Sequence, residues 1–176
     1  MTEQNPIRIA IADDHTLFRT GLAELIHLFG PFKVTVLEKN GLALLDTLAK
    51  SASLPEICIL DINMPQMNGY DTVLRLKELY PDMKVLAVSM HETEFSILKM
   101  IRNGADGYLM KDAEPEELER ALISLHEKGV YHSEFLSGRI ISQIQNHSTD
   151  ILSLINISET ELRYLQLLCS DLSIKE

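Results

Sequence analysis

Long apolar runs are missing from this 176-residue chain. No stretch approaches the roughly 20 apolar residues that a membrane-spanning helix needs. The opening Met1-Thr2-Glu3-Gln4-Asn5-Pro6 also lacks the basic and apolar regions of a secretion signal. A soluble, unexported protein of the cytoplasm is expected. Cysteine is scarce: Cys58 and Cys169 share no spacing that suggests a metal site or a disulfide framework. Both read as small buried apolar residues in a reducing compartment. Positive charge is short as well. The formal net charge is −10, with 13 Lys and Arg against 20 Asp and Glu up to His132, and 3 against 6 beyond it. That balance argues against nucleic-acid binding by the chain as it stands, because such affinity rests on cations neutralising phosphates. The acidic surplus itself reads as ordinary solubility.

Short apolar runs are present instead, and four of them stop at a polar residue. Ile7-Arg8-Ile9-Ala10-Ile11-Ala12 ends at Asp13-Asp14, Ile57-Cys58-Ile59-Leu60 at Asp61, Val85-Leu86-Ala87-Val88 at Ser89, and Gly107-Tyr108-Leu109-Met110 at Lys111. Runs of this length, bounded by turn residues and alternating with helical patterns, indicate buried strands of a parallel sheet. Ligands of such sheets sit at the carboxyl ends of the strands. Three carboxylates, a hydroxyl and an ammonium should therefore converge on one crevice.

Amphipathic segments separate the strands. Phe18, Leu22, Leu25, Ile26 and Phe29 share a helical face that Gly30-Pro31 stops. Lys33 to Glu38 alternates as a second strand, and Leu42 to Ala49 reads as the second helix. The loop Ile62 to Gly69 carries Pro and Asn-Gly turn signals, and a third helix runs from Tyr70 to Tyr80. A fourth spans Thr93 to Asn103 and ends at Gly104. In the fifth, Pro115 opens the helix, Glu116 and Glu117 sit at its positive end, Leu118, Ala121, Leu122 and Leu125 form its apolar face, and Lys128-Gly129 closes it. The alternation predicts a doubly wound α/β domain with a five-stranded parallel sheet over residues 1–132.

Beyond His132 the composition changes. Ser133 to Gln145 can form one more helix, and Asn146 to Asp150 is a polar linker, so 133–150 reads as connection. Residues 151–176 read as a separate all-α segment. Ser158-Glu159-Thr160-Glu161 is a capping box ahead of Leu162, Leu165, Leu168 and Cys169 at helical spacing. A second box, Ser173-Ile174-Lys175-Glu176, starts a helix where the sequence stops, as expected of a truncated domain.

Like charges held close raise one another's pKa, so Asp13, Asp14 and Asp61 are costly together unless a cation joins them. An oxygen-rich set suits Mg²⁺ better than Zn²⁺, which favours His or Cys. His15 reads as a partly exposed polar residue of the loop rather than as a metal ligand or phosphodonor, since no second His has a ligand spacing. Asp61 is the candidate nucleophile, because a carboxylate oxygen can take a phosphoryl group as an acyl phosphate. Mg²⁺ and Lys111 would neutralise the phosphoryl oxygens, and Ser89 is a neutral donor able to reach one only once it is there.

Asp13-Asp14, Asp61-Ile62-Asn63-Met64-Pro65, Ser89 and Gly104-Ala105-Asp106-Gly107-Tyr108-Leu109-Met110-Lys111-Asp112 together resemble the receiver domain of bacterial two-component response regulators, with most similarity to the NarL/FixJ subgroup. The resemblance covers residues 7 to about 132. It implies a flavodoxin-like receiver whose Asp61 accepts a phosphoryl group from the histidine of a sensor kinase. It further implies that Asp14, Asp61 and the main-chain carbonyl of Asn63 ligate Mg²⁺, that Asp13 helps through water, and that Ser89 and Tyr108 form a switch pair. One departure is Asp112, where many receivers carry a cis proline after the lysine. The tail, Ile157 to Cys169 and Leu172 to Glu176, is similar to the opening of a LuxR-type helix-turn-helix domain without its DNA-reading helix.

The expected function is a phosphorylation-activated response regulator that dimerises when phosphorylated and acts on transcription through its full-length DNA-binding domain. The chain as given should not bind DNA specifically. It would not be a turnover enzyme, although it would catalyse its own phosphorylation and dephosphorylation. One rival is a Mg²⁺-dependent phosphohydrolase, disfavoured because Asp13-Asp14-His15 lacks an Asp-x-Asp spacing. The other is a receiver that acts through protein binding alone.

Overall fold

The computed structural model describes residues 5–90 and 94–131. These belong to the first of two units into which the chain divides, Met1–Tyr131. The expected linker helix, polar linker, both capping boxes, Cys169 and the start of the fourth helix at Thr93 lie outside the described residues.

Strands and helices alternate: β1 (Ile7–Ala12), α1 (Thr16–His27), β2 (Phe32–Glu38), α2 (Gly41–Lys50), β3 (Ile57–Asp61), α3 (Gly69–Leu79), β4 (Lys84–Ser89), α4 (Glu94–Arg102), β5 (Gly107–Met110) and α5 (Pro115–Lys128). All strand pairs are parallel, in the order β2-β1-β3-β4-β5. The order reverses direction between β1 and β3, which is where a doubly wound sheet opens a crevice at its carboxyl edge.

Burial explains why the inner strands read as unbroken apolar runs. Every residue of β3 is buried, as are nearly all of β1, β4 and β5, because helices cover both faces. On one face Ile7, Ile9, Ile11, Ile57, Ile59, Leu86, Val88 and Leu109 pack with Leu22 and Ile26 of α1 and Leu118, Leu122 and Leu125 of α5. Each such side chain contributes about 1.5–3 kcal/mol when fully buried. The alternating residues Ala10, Cys58, Leu60, Val85 and Ala87 are also buried, and α2, α3 and α4 supply Leu44, Leu48, Val73, Leu76 and Met100 to the core. Edge strand β2 alternates buried Phe32 and Val36 with exposed Lys33, Thr35 and Leu37, as an uncovered edge should.

Helix boundaries follow local chemistry. Asn40 and Asn68 cap α2 and α3 by accepting from the N–H groups of Ala43 and Asp71 at 2.9 and 3.0 Å. Gly104 and Gly129 adopt the positive φ values of 105° and 78° expected of left-handed caps. Helix α1 ends at His27, earlier than its apolar spacing predicts, since Leu28 caps it and Phe29 packs on the core from the turn. Among the described residues no helix is long and apolar enough to cross a membrane.

Candidate functional site

Register alone brings the four polar stopping points together. Ala12 pairs with Leu60, so Asp13 and Asp61 follow side by side at adjacent strand ends. Asp61 pairs with Val88, which puts Ser89 one step beyond, and Ser89 pairs with Met110, which puts Lys111 one step beyond that. Backbone bonds hold the chain past each end: Asp13 N–H donates to Glu38 O at 3.0 Å and Lys111 N–H to Ser89 O at 2.9 Å.

Lys111 Nζ lies 2.7 Å from Asp13 Oδ2 and 2.8 Å from Asp61 Oδ2, with all three side chains almost wholly buried. Among the described residues neither oxygen has a hydrogen-bond partner beyond this shared ammonium. Burial pushes the Asp61 carboxyl above its usual range; Lys111 opposes the rise and the Asp13 charge adds to it. Burial works against the Lys111 charge, yet the Asp13 and Asp61 carboxylates together hold that ammonium above its usual value. One buried cation thus serves two buried anions, with the exposed Asp14 close by, and negative charge is in excess.

His15 stays exposed in the turn before α1, as its position in the sequence suggests, with one ring nitrogen beside the carboxylates. Its Nδ1 lies 2.9 Å from Asp14 Oδ1, 3.3 Å from Asp13 Oδ1 and 4.0 Å from Asp61 Oδ2. The cause is local: Asp13 Oδ1 accepts the His15 N–H at 2.8 Å and fixes the turn. Asp13, Asp14, His15 and Asp61 each offer a ligand atom, all within 4.8 Å of one another. Buried carboxylate oxygens that share one ammonium, and the surplus of negative charge they leave, fit a hard divalent cation, and Mg²⁺ is compatible with that donor set.

The loop after β3 is drawn tightly beneath this cluster. Asn63 N–H donates to Asp61 Oδ1 at 3.4 Å, and Gly69 N–H to Ile62 O at 2.8 Å. A Cβ on Gly69 would lie 2.4 Å from Asp61 O and 2.7 Å from Ile62 Cα, so only glycine lets α3 start here. Buried Asn40 braces the same loop by donating from Nδ2 to Gln66 Oε1 at 2.8 Å. Ser89 and Tyr108 are both buried, on neighbouring strands. Phe18 and Arg19, which the sequence offered only as parts of a helix, also reach the site. The Phe18 ring faces the Lys111 ammonium, and Arg19 donates to the Asp13 carbonyl.

Known proteins resemble this chain in sequence and fold. The family profile of the response regulator receiver domain matches residues 9–123. The nitrate/nitrite response regulator protein NarL of Escherichia coli (strain K12) is 32% identical over 176 aligned residues, covering 99% of this chain and 81% of NarL. Transcriptional regulatory protein DegU of Brevibacillus brevis is 31% identical over 163 residues, 91% of this chain and 68% of DegU. Among solved structures, the NarL signal receiver domain from Mycobacterium tuberculosis has a TM-score of 0.64 at 29% identity, covering 69% of this chain and 96% of that one. A LuxR-family two-component response regulator from Aurantimonas sp. SI85-9A1 reaches 0.73 at 23% identity, over 81% of this chain and 100% of that one, a likeness of fold. The chain belongs to the response regulators of two-component systems, and residues 9–123 are its receiver domain.

Proposed function

We propose that Asp61 is the phosphoacceptor of this receiver and takes its phosphoryl group from the histidine of a partner sensor kinase. A carboxylate oxygen of Asp61 attacks phosphorus, the P–N bond to the donor imidazole breaks with its electron pair leaving on nitrogen, and an acyl phosphate forms. The observation that carries this reading is Asp61 Oδ2: a buried carboxylate oxygen 2.8 Å from Lys111 Nζ at the carboxyl edge of the sheet.

Lys111 is placed to neutralise charge on the phosphoryl oxygens. Asp13, Asp14, Asp61 and the main-chain carbonyl of Asn63 are the groups that would hold Mg²⁺, which when bound offsets the charge of the carboxylates and of an incoming phosphoryl group. Ser89, at the end of the strand beside Asp61, would donate to a phosphoryl oxygen, and buried Tyr108 on the next strand would answer that movement as the second half of a switch. In this reading the protein works in the cytoplasm and catalyses only its own phosphorylation and dephosphorylation. It dimerises when phosphorylated, and residues 133–150 connect the receiver to the opening part of a LuxR-type helix-turn-helix output domain at 151–176, the full-length domain being what acts on transcription. The names of the relatives, a nitrate/nitrite response regulator and a transcriptional regulatory protein, support that output.

The test is phosphorylation by a small-molecule phosphodonor with and without Mg²⁺, read by intact mass on the parent and on Asp61→Asn. A single added phosphoryl group that requires both Asp61 and Mg²⁺ is expected. Full phosphorylation of Asp61→Asn, or an equal rate in excess chelator, would overturn the assignment.

A further inference from the structure

We propose that His15 is a further protein ligand of the cation site, and that its imidazole nitrogen turns an oxygen-only site into one that favours borderline divalent cations of the Mn²⁺ and Co²⁺ class over Mg²⁺. The inference rests on the reading above that the carboxylate cluster holds a cation.

Spacing carries the argument. Around an octahedral ion with bonds near ~2.1 Å, neighbouring ligand atoms sit ~3.0 Å apart and opposite ones ~4.2 Å. His15 Nδ1 lies 2.9 Å from Asp14 Oδ1 and 3.3 Å from Asp13 Oδ1, close to neighbouring positions, and 4.0 Å from Asp61 Oδ2, close to an opposite one. The turn places His15 beside the carboxylates, because its main-chain N–H is tied to Asp13 Oδ1 at 2.8 Å. As the N-cap residue of α1, His15 could have spent its side chain on the helix end, but it makes no capping hydrogen bond. The buried Asp13 Oδ2 and Asp61 Oδ2 share the single Lys111 ammonium at 2.7 and 2.8 Å, so the cluster keeps a surplus of negative charge that a cation would meet.

The chemistry follows from ligand type. Mg²⁺ sheds water reluctantly and favours oxygen, whereas imidazole suits later first-row ions, whose affinity rises from Mn²⁺ towards Ni²⁺. To bind an ion through Nδ1, His15 carries its proton on Nε2. The same distances also describe a counter-charge that merely stands in for the cation, and the experiment separates the two roles.

Isothermal titration of the unphosphorylated 176-residue chain with Mg²⁺ and then with Co²⁺ is compared across the parent, His15→Ala and Asp14→Asn, with Mn²⁺ pulsed electron paramagnetic resonance reporting directly bound nitrogen. The parent should prefer Co²⁺, and His15→Ala should lower the Co²⁺-to-Mg²⁺ affinity ratio by about tenfold and abolish the nitrogen coupling. Asp14→Asn should weaken both ions, which distinguishes this site from the chain's other histidines. An unchanged ratio in His15→Ala overturns the proposal, as does a strengthening of both ions alike, the mark of a counter-charge. Binding of neither ion to the parent overturns the cation-site reading itself.

Discussion

Lys111 Nζ lies 4.9 Å from the centroid of the Phe18 ring. The aromatic face closes one side of an ammonium whose other contacts are the Asp13 and Asp61 carboxylates, and so limits where that charge can move. A desolvated contact of this kind is worth about 0.5–2 kcal/mol. Phe18→Ala should slow phosphorylation by a small-molecule donor about 3- to 30-fold, while Phe18→Tyr stays near the parent. Equal rates for parent and Phe18→Ala in an intact-mass time course would show that the ring does not position the lysine.

Removing the Asp61 charge should stabilise the fold. The folded-state pKa of Asp61 is raised, chiefly by burial. Its contribution to stability is therefore present below the unfolded value and is lost as pH rises through the folded one. At neutral pH the ionised carboxylate is a cost, and Lys111 keeps Asp13 as a partner at 2.7 Å without it. Urea unfolding at pH 7 should find Asp61→Asn more stable by about 1–2 kcal/mol, with the gap closing as the pH falls towards the acid range. A less stable Asp61→Asn at pH 7 contradicts this.

Gly69→Ala tests the loop beneath the site. Its Cβ would press on backbone atoms of Asp61 and Ile62 at 2.4 and 2.7 Å, and backbone cannot yield as a flexible side chain would. A loss of about 2–4 kcal/mol in denaturant unfolding is expected, together with slower phosphorylation. A loss below about 0.5 kcal/mol would mean that α3 shifts freely.

Burial pushes the Cys58 thiol up to about 12. In a Cys169→Ser background the native protein should resist thiol alkylation until it unfolds. The raised value gives a stability contribution that is complete below the ordinary thiol value of 9.0 and lost progressively towards 12. Stability should therefore fall across that alkaline window more steeply than in Cys58→Ala. Rapid labelling under native conditions would contradict the burial.

Much of the architecture was legible because buried parallel strands leave unmistakable apolar runs, and the residue that breaks each run marks the edge of the sheet. Asp13, Asp61 and Lys111 meet for that reason alone, since parallel register converts four separate stopping points into neighbours. Asp61 and Ser89 nonetheless complete β3 and β4, because a polar side chain at a carboxyl edge does not interrupt the backbone ladder. His15 was less legible. Its place beside the carboxylates depends on a turn held by a hydrogen bond from its own N–H to Asp13, which no periodicity reports. The reach of Phe18 across to Lys111 depends on how α1 lies against β5, a packing detail invisible to helical spacing. The roles of Ser89 and Tyr108 came from family resemblance, since buried polar and aromatic residues at strand ends are compatible with several duties.

The order of the site residues along the chain has a consequence for its biosynthesis. Asp13 and Asp61 leave the ribosome well before Lys111, the ammonium that bridges them in the finished fold. Until β5 is made, the partial sheet must hold two facing anions with no lysine between them, and its first three strands gain little from closing early. The last strand thus delivers the ammonium that lets the two carboxylates face one another, and the carboxyl edge of the sheet is complete only once synthesis has passed Lys111.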